Sequence, residues 1–264
     1  MHPLLLRFGN ISIYTYGFFL AAGFVAGLLL AKSEAKRLGQ NPDKIMDLAF
    51  YLLIAAIIGS RLLYVFTNPG TFMENPVDII RIWKGGLVFY GGFIAAMVTG
   101  IILLKKWDMD LWTVTDIIAP SIAAGQFLGR IGCFSAGCCY GKICDLPWAI
   151  VFKNADSLAP VGIPLHPTQL YHAFSNLVIF LFLWFYRTRK KFAGQLFWIY
   201  IFLYGITRAF IEIFRGDFRG HVFFGVLSIS QFIGLIMAII AIIAIIVLTN
   251  LSKGISIKKE IKIE

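Results

Sequence analysis

The chain has 264 residues, 59% hydrophobic and 14% charged, with a formal net charge of +10 and a mean hydropathy of +0.80. That much apolar surface excludes a soluble domain of this length and points to an integral membrane protein. The basic residues fall between long apolar runs instead of along an interleaved basic and aromatic surface, which excludes a nucleic-acid partner.

Apolar segments near the roughly 20 residues that a bilayer core requires occur at 11–31, 46–66, 86–104, 113–131, 170–186, 195–214 and 223–249. The expected fold is therefore an all-α integral membrane protein of seven transmembrane helices. No internal repeat or linker-like stretch divides the sequence, so a single domain over 1–264 is expected. One arginine precedes the first run and no small-residue cleavage site follows it, so that run is read as a retained span and not as a signal peptide. Lysine and arginine outside the spans are distributed 14 to 7 in favour of the segments after helices one, three, five and seven. By the positive-inside rule the N-terminus is outside and the C-terminus cytoplasmic. The lysine-rich tail ISIKKEIKIE suits an anionic inner leaflet, and the six tryptophans spread through loops and helix ends as an interfacial belt.

The three remaining arginines, Arg61, Arg130 and Arg208, lie inside spans. On this topology helices two, four and six run outward and carry them toward their outer ends, while Tyr16, Tyr90 and the 166–169 approach occupy the outer ends of helices one, three and five. A rise of about 1.5 Å per residue puts Arg208 roughly 9 Å below the end of its helix, deep enough to need a partner. Glu212 is four residues later on the same face and Tyr204 four earlier. One such arginine could be a snorkelling anchor. Three at one depth, beside glycines or a same-face carboxylate, read as a functional site, because intramembrane charge is costly.

The densest feature is GRIGCFSAGCCYGK, residues 129–142, which follows an intramembrane arginine with small-residue backbone. With YG at Tyr16, GSRLLYV from Gly59, GGLVFYGG from Gly85, HPTQLY from His166 and YGITRAFIEIFR from Tyr204, it makes six motifs in order. Together they resemble the prolipoprotein diacylglyceryl transferase family over residues 16–217. The resemblance implies a seven-helix enzyme of the bacterial inner membrane. It would move the diacylglyceryl group of phosphatidylglycerol onto the lipobox cysteine of a prolipoprotein signal peptide, forming a thioether and releasing glycerol phosphate. No cofactor or metal is implied; the partners are the two substrates and membrane lipid.

The residues fit that chemistry. Displacing a phosphate needs cationic groups on the departing oxygens, and a guanidinium donates bidentately to phosphate. Arg130 and Arg208 are assigned as the clamp, with Tyr90 as the third catalytic candidate. Tyr16 and Tyr204 would orient headgroup oxygens, Gly91, Gly92 and Gly141 would let backbone approach the lipid, Glu212 would position Arg208, and Arg61 would act from behind as a supporting charge.

Two departures from the family pattern stand out. Many members have histidine where this chain has Tyr90, and asparagine and glutamate where it has Cys133 and Cys138. Cys133, Cys138, Cys139 and Cys144 are spaced C-x4-CC-x4-C, without the paired C-x2-C of a zinc knuckle, even if His166 joined them. On an extracytoplasmic face they could bridge into disulfides or pack as small apolar groups. His166, at the start of the fifth helix, reads as a loop-ordering hydrogen-bonder. A secondary transporter would place its polar site near the midplane and show a repeat, and neither is visible. A redox or metal module built on the cysteines is the other competing class.

Tyrosine is a poor base near neutral pH, so Tyr90 is read as a hydrogen-bonding group that neutral imidazole can replace. Tyr90→His should remain active, and Tyr90→Phe should lose activity without acquiring a new pH dependence. Rate against pH for the three proteins decides this: a basic limb that vanishes in Tyr90→Phe would make Tyr90 the base.

Overall fold

The computed structural model describes residues 2–9, 11–217, 222–223 and 227–260. Arg219 and Lys262, both counted in the charge asymmetry, lie outside the described residues, as does the end of the basic tail. The chain divides into two compact units, Met1–Leu30 with Thr115–Glu264, and Ala31–Val114.

In the first unit, the β-branched alternation of Ile11 and Ile13 forms a strand instead of the first turn of a helix. A hairpin pairs β1 (Leu4–Phe8) antiparallel with β2 (Ile11–Tyr14). Helix α1 (Thr15–Arg37) therefore starts four residues later than its apolar run predicts. Helix α5 (Leu111–Ala136) extends past the expected end at 131, despite the internal Pro120. Two short strands, β3 (Ile150–Val151) and β4 (Pro164–Leu165), pair antiparallel in the connection to α6 (Thr168–Tyr186). Helix α7 (Gln195–Glu212) follows. Val222–Phe223 (β5) pairs with Leu227–Ser228 (β6), so the last helix, α8 (Ile229–Glu260), begins at 229 and not at 223.

The second unit contains α2 (Pro42–Thr67), the short α3 (Pro69–Glu74), two single 3₁₀ turns and α4 (Phe89–Lys106). Asn41 caps α2, its side chain accepting from Asp43 N at 2.9 Å and Lys44 N at 3.3 Å, with Pro42 at the first helical position. The helix thereby gains a turn over the sequence estimate. Gly85 and Gly86 adopt φ of +85° and +75°, outside helical space, so α4 starts at Phe89 and not at 86.

Six of the described helices are long and apolar enough to cross a membrane: Thr15–Arg37, Pro42–Thr67, Phe89–Lys106, Leu111–Ala136, Thr168–Tyr186 and Ile229–Ser252. Only 17% of the apolar window of α1, α2, α4 or α8 is buried, leaving Phe18, Leu29, Phe50, Phe93 and Ile243 facing outward. Outward apolar faces are what lipid requires. Helix α7 carries Arg208 and Glu212 within 18 residues, and its composition keeps it out of that set. The protein is thus an all-α, multi-pass membrane protein.

In hydrocarbon, helices associate through close packing, and small residues permit it. A Cβ on Gly205 of α7 would stand 2.5 Å from Gly234 O of α8, and one on Gly234 would stand 2.8 Å from Gly205 O. Ala209 and Ala238, four residues on in each helix, extend the same small-residue face and are buried. In the other unit a Cβ on Gly59 of α2 would strike Gly91 O of α4 and Ala95 Cβ, so these backbones touch directly.

A buried carboxylate fixes the start of α7. Asp116 of α5, 0% exposed, accepts from Gly194 N at 2.9 Å and Lys190 Nζ at 2.8 Å through Oδ2, and from Phe197 N at 3.1 Å through Oδ1. It satisfies free N–H groups of the helix start, complements the helix dipole and neutralises a lysine at once. Asp116→Ala should lower stability by about 3 kcal/mol, since it strands those donors, and Asp116→Asn by less. Thermal unfolding in detergent measures both, and an unchanged midpoint for the alanine variant would remove Asp116 from the framework.

Candidate functional site

The polar face of α6 organises the site in the first unit. Thr168, Gln169, His172 and Asn176 are each no more than 1% exposed, and their three- and four-residue spacing makes one buried stripe on an otherwise apolar helix. Across from it, Arg208 of α7 meets His172 Nε2 at 3.1 Å through Nη1. A guanidinium has no acceptor, so His172 accepts at Nε2 and carries any ring proton on Nδ1. Nη2 of Arg208 donates to Ser230 Oγ of α8 at 3.2 Å and lies 3.1 Å from Glu212 Oε2. The same carboxylate oxygen is 3.6 Å from Arg215 Nε. These are ion pairs by distance without the alignment of a hydrogen bond at that oxygen.

Arg215, just past α7, is buried and donates to Asp217 by three contacts of 2.6–2.9 Å. Burial works against its charge, but hydrogen bonding and attraction from Asp217 and Cys139 together outweigh it and hold its pKa above the ordinary value. The sequence places Arg215 in a loop count of basic residues, whereas its side chain is 2% exposed and belongs to this cluster.

Arg130 lies one residue before the end of the expected span on α5 and is half-buried. Among the described residues it makes no hydrogen bond or ion pair, although it acts electrostatically on His172, Arg208 and Tyr16. Tyr16 is held at that level because Gly132 lets α1 approach: a Cβ there would stand 3.2 Å from Tyr16 O. Tyr204, one turn before Arg208, stacks on Tyr200 with centroids 5.7 Å apart, and Tyr200 donates to Gln126 Oε1 at 3.0 Å. Three arginines thus face two carboxylates in one part of the first unit, an excess of positive charge suited to an anion.

Gly141 is where three segments cross. Its N–H donates to His166 O at 3.0 Å, Lys142 N donates to Phe214 O at 2.8 Å, and Gly216 N to Tyr140 O at 3.1 Å. A Cβ on Gly141 would collide with His166 and stand 2.8 Å from Phe214 O. His166 Nδ1 is 3.2 Å from the Tyr171 hydroxyl, which also accepts from Trp148 Nε1 at 2.9 Å. Beside them opens a cavity of about 620 Å³ walled by Leu170, Phe174, Phe210, Ile211 and Phe214, almost wholly apolar.

The cysteines cluster more tightly than their spacing implies. The sulfurs of Cys133, Cys138 and Cys139 lie within 4.8 Å of one another, and none of the four cysteines is joined in a disulfide. Thr168 Oγ1 donates to Cys139 O at 2.7 Å and Gln169 Nε2 to Cys138 O at 2.9 Å. Hydrogen bonding to Cys133 and Cys139, then burial, hold the Cys138 thiol above its ordinary pKa.

Arg61, Tyr90, Gly91 and Gly92 belong to the second unit. Arg61 is buried and all its donor nitrogens are engaged: Nε with Ile79 O at 2.8 Å, Nη1 with Gly85 O at 2.6 Å and Gly86 O at 3.0 Å, and Nη2 with Asp78 O. Its guanidinium also lies over the Tyr64 and Phe72 rings, 5.6 and 5.2 Å from their centroids. It shapes the 78–86 segment that leads into α4. Gly91 and Gly92 are buried against α2, where Cβ atoms would meet Gly59 O and Ser60 Oγ, and Tyr90 is exposed.

His172, Arg215, Asp217 and Ser230 join the cluster without having been singled out from the sequence. The 168–176 polar stripe was a readable signal for His172. Ser230 had none, since its role depends on how α7 packs on α8.

The sequence profile of the prolipoprotein diacylglyceryl transferase family matches residues 3–247. A phosphatidylglycerol–prolipoprotein diacylglyceryl transferase of Clostridium tetani is 39% identical over 241 residues, 91% of this chain and 95% of that protein. A second such transferase, from Clostridium perfringens, is 38% identical over 87% of this chain and 89% of its own length, and one from Solidesulfovibrio magneticus is 34% identical over 88% and 89%. With the match running through every helix described above, the chain belongs to the prolipoprotein diacylglyceryl transferase family.

Proposed function

We infer that this protein is an enzyme that transfers the diacylglyceryl group of phosphatidylglycerol to prolipoproteins, the first step of lipoprotein maturation. The relatives carry that activity in their names, and the observation that ties it to this chain is the net positive cluster around Arg208. A buried guanidinium held by His172, Ser230 and Glu212 loses little freedom on meeting a phosphate, so it is preorganised for the leaving group. Arg130, with no partner of its own among the described residues, supplies the second contact.

On this reading the thiolate sulfur of the lipobox cysteine attacks the glyceryl carbon next to phosphate. The carbon–oxygen bond breaks, a thioether forms, and glycerol phosphate departs carrying charge that Arg130 and Arg208 stabilise. Tyr16 and Tyr204 hold headgroup hydroxyls, and Gly141 fixes the crossing of the loops beside the arginines. The apolar cavity by Phe174 and Phe210 suits acyl chains. In the second unit, Tyr90 contributes a hydrogen bond to lipid, Gly91 and Gly92 seat it against α2, and Arg61 supports it by shaping the preceding segment. The reading takes the chain as one functional domain, with α7 as a seventh span stabilised by its Arg208–Glu212 pair. It sets the enzyme in the bacterial inner membrane, N-terminus outside and C-terminus cytoplasmic.

Purified protein should move label from diacylglyceryl-labelled phosphatidylglycerol to a lipobox peptide, and absence of transfer would sink the assignment. Arg130→Ala and Arg208→Ala should each insert normally yet lose transfer. A lost charge-assisted contact costs roughly 1.5–3 kcal/mol in binding, about 10- to 150-fold, and more where charge develops in the transition state. Near-normal turnover in either variant would dissolve the clamp. For topology, a reporter fused after Glu264 should be active only in the cytoplasm, and activity on the outer side would reverse the orientation.

A further inference from the structure

Cys133 lies in the last turn of α5, and Cys138 and Cys139 lie in the turn that follows it. That turn folds back so that the three sulfurs come within 4.8 Å of one another. A metal–sulfur distance of about 2.3 Å in tetrahedral or trigonal geometry sets sulfur–sulfur separations of roughly 3.8–4.0 Å, a change that side-chain rotation supplies. The backbone need not move. Cys138 O and Cys139 O are pinned by the fully buried Gln169 and Thr168, and Cys139 is held at φ +62°, a left-handed conformation that a non-glycine residue adopts at a cost.

The surrounding charge suits thiolates. Three thiolates around a divalent ion carry a net charge of −1, and Arg130 is three residues before Cys133 with no ion-pair partner among the described residues. Arg215 interacts electrostatically with Cys139. Cationic neighbours favour thiolate ligation. Sequence spacing disguised the arrangement, because zinc knuckles offer C-x2-C pairs, whereas here adjacent Cys138 and Cys139 converge on a cysteine one helical turn earlier in space. Cys144 is outside the group.

We propose that Cys133, Cys138 and Cys139 form a three-thiolate binding site for a thiophilic d10 metal ion such as Zn²⁺ or Cu⁺, on the helix that carries Arg130. Three protein donors leave a coordination position open to a further ligand. Softness selects the ion: sulfur-only donors discriminate against Mg²⁺ and Ca²⁺.

The test is titration of the purified, full-length, reduced protein with Cd²⁺ alone, without lipid or peptide, so that its outcome is independent of the transferase reading. The thiolate-to-cadmium ultraviolet band should saturate at one ion per chain. Cys133→Ser, Cys138→Ser and Cys139→Ser should each weaken binding at least tenfold, and Cys144→Ser should leave it unchanged. X-ray absorption on unaltered protein loaded with Zn²⁺ needs no variant to fold and should give a sulfur-dominated shell near 2.3 Å. No saturable band, a band insensitive to the three serine variants, or a nitrogen- and oxygen-dominated shell would overturn the proposal. So would isolation of the protein with two of these thiols already joined as a disulfide.

Discussion

A guanidinium packed between helices must find partners for its charge and its hydrogen-bond donors, and much of the first unit is arranged around meeting that demand for Arg208. Glu212 is supplied by the same helix one turn on, His172 by α6 and Ser230 by α8. Three helices are therefore held in register by one side chain. The same constraint bears on the buried polar stripe of α6: its amide N–H and hydroxyl groups are spent on His172 O and on the carbonyls of Cys138 and Cys139, while the amide oxygens of Gln169 and Asn176 have no partner among the described residues. Buried polar groups without such outlets would be costly.

Helix contacts have to be made differently from those of a water-soluble core, because lipid tails are as apolar as leucine. Glycine meets glycine between α7 and α8, and again between α2 and α4. Close backbones leave the large apolar side chains free to face outward, which is why so many phenylalanines and isoleucines are exposed. Polar fixtures do the rest. Asp116 joins α5 to the start of α7, and Asn41 starts α2. A mesh of main-chain bonds around Gly141 ties the loop after α5 to the ends of α6 and α7.

Six of the spans, and Arg61 and Arg130 within them, were legible because both depend on composition over a turn or more of helix, which is local. Helix limits were less so. Residues 11–14 are as apolar as a helix start, and only pairing with Leu4–Phe8 makes them a strand. Asn41–Pro42 was a readable start signal that hydropathy alone passed over. Side-chain partnership was the least legible. Arg215 was counted as a loop charge, yet the chain folds it under Asp217 and Glu212. The cysteine trio depends on a turn whose geometry no spacing rule anticipates.

The three span arginines illustrate what structure adds to such a reading. On sequence they are equivalent, each an expensive charge near one end of an apolar segment. In the fold their donors are spent unequally. Arg61 gives its nitrogens to four backbone carbonyls and its face to two aromatic rings, so removing it would unmake a segment. Arg208 is held by side chains that orient it and leave it cationic. Arg130 meets neither carbonyl nor carboxylate among the described residues. Its charge is half-buried, and a charge so placed without a fixed partner carries a desolvation cost that the described residues do not offset. On the proposed function and the proposed thiolate site, a lipid phosphate and metal-bound thiolates are the two negative groups that would offset its charge.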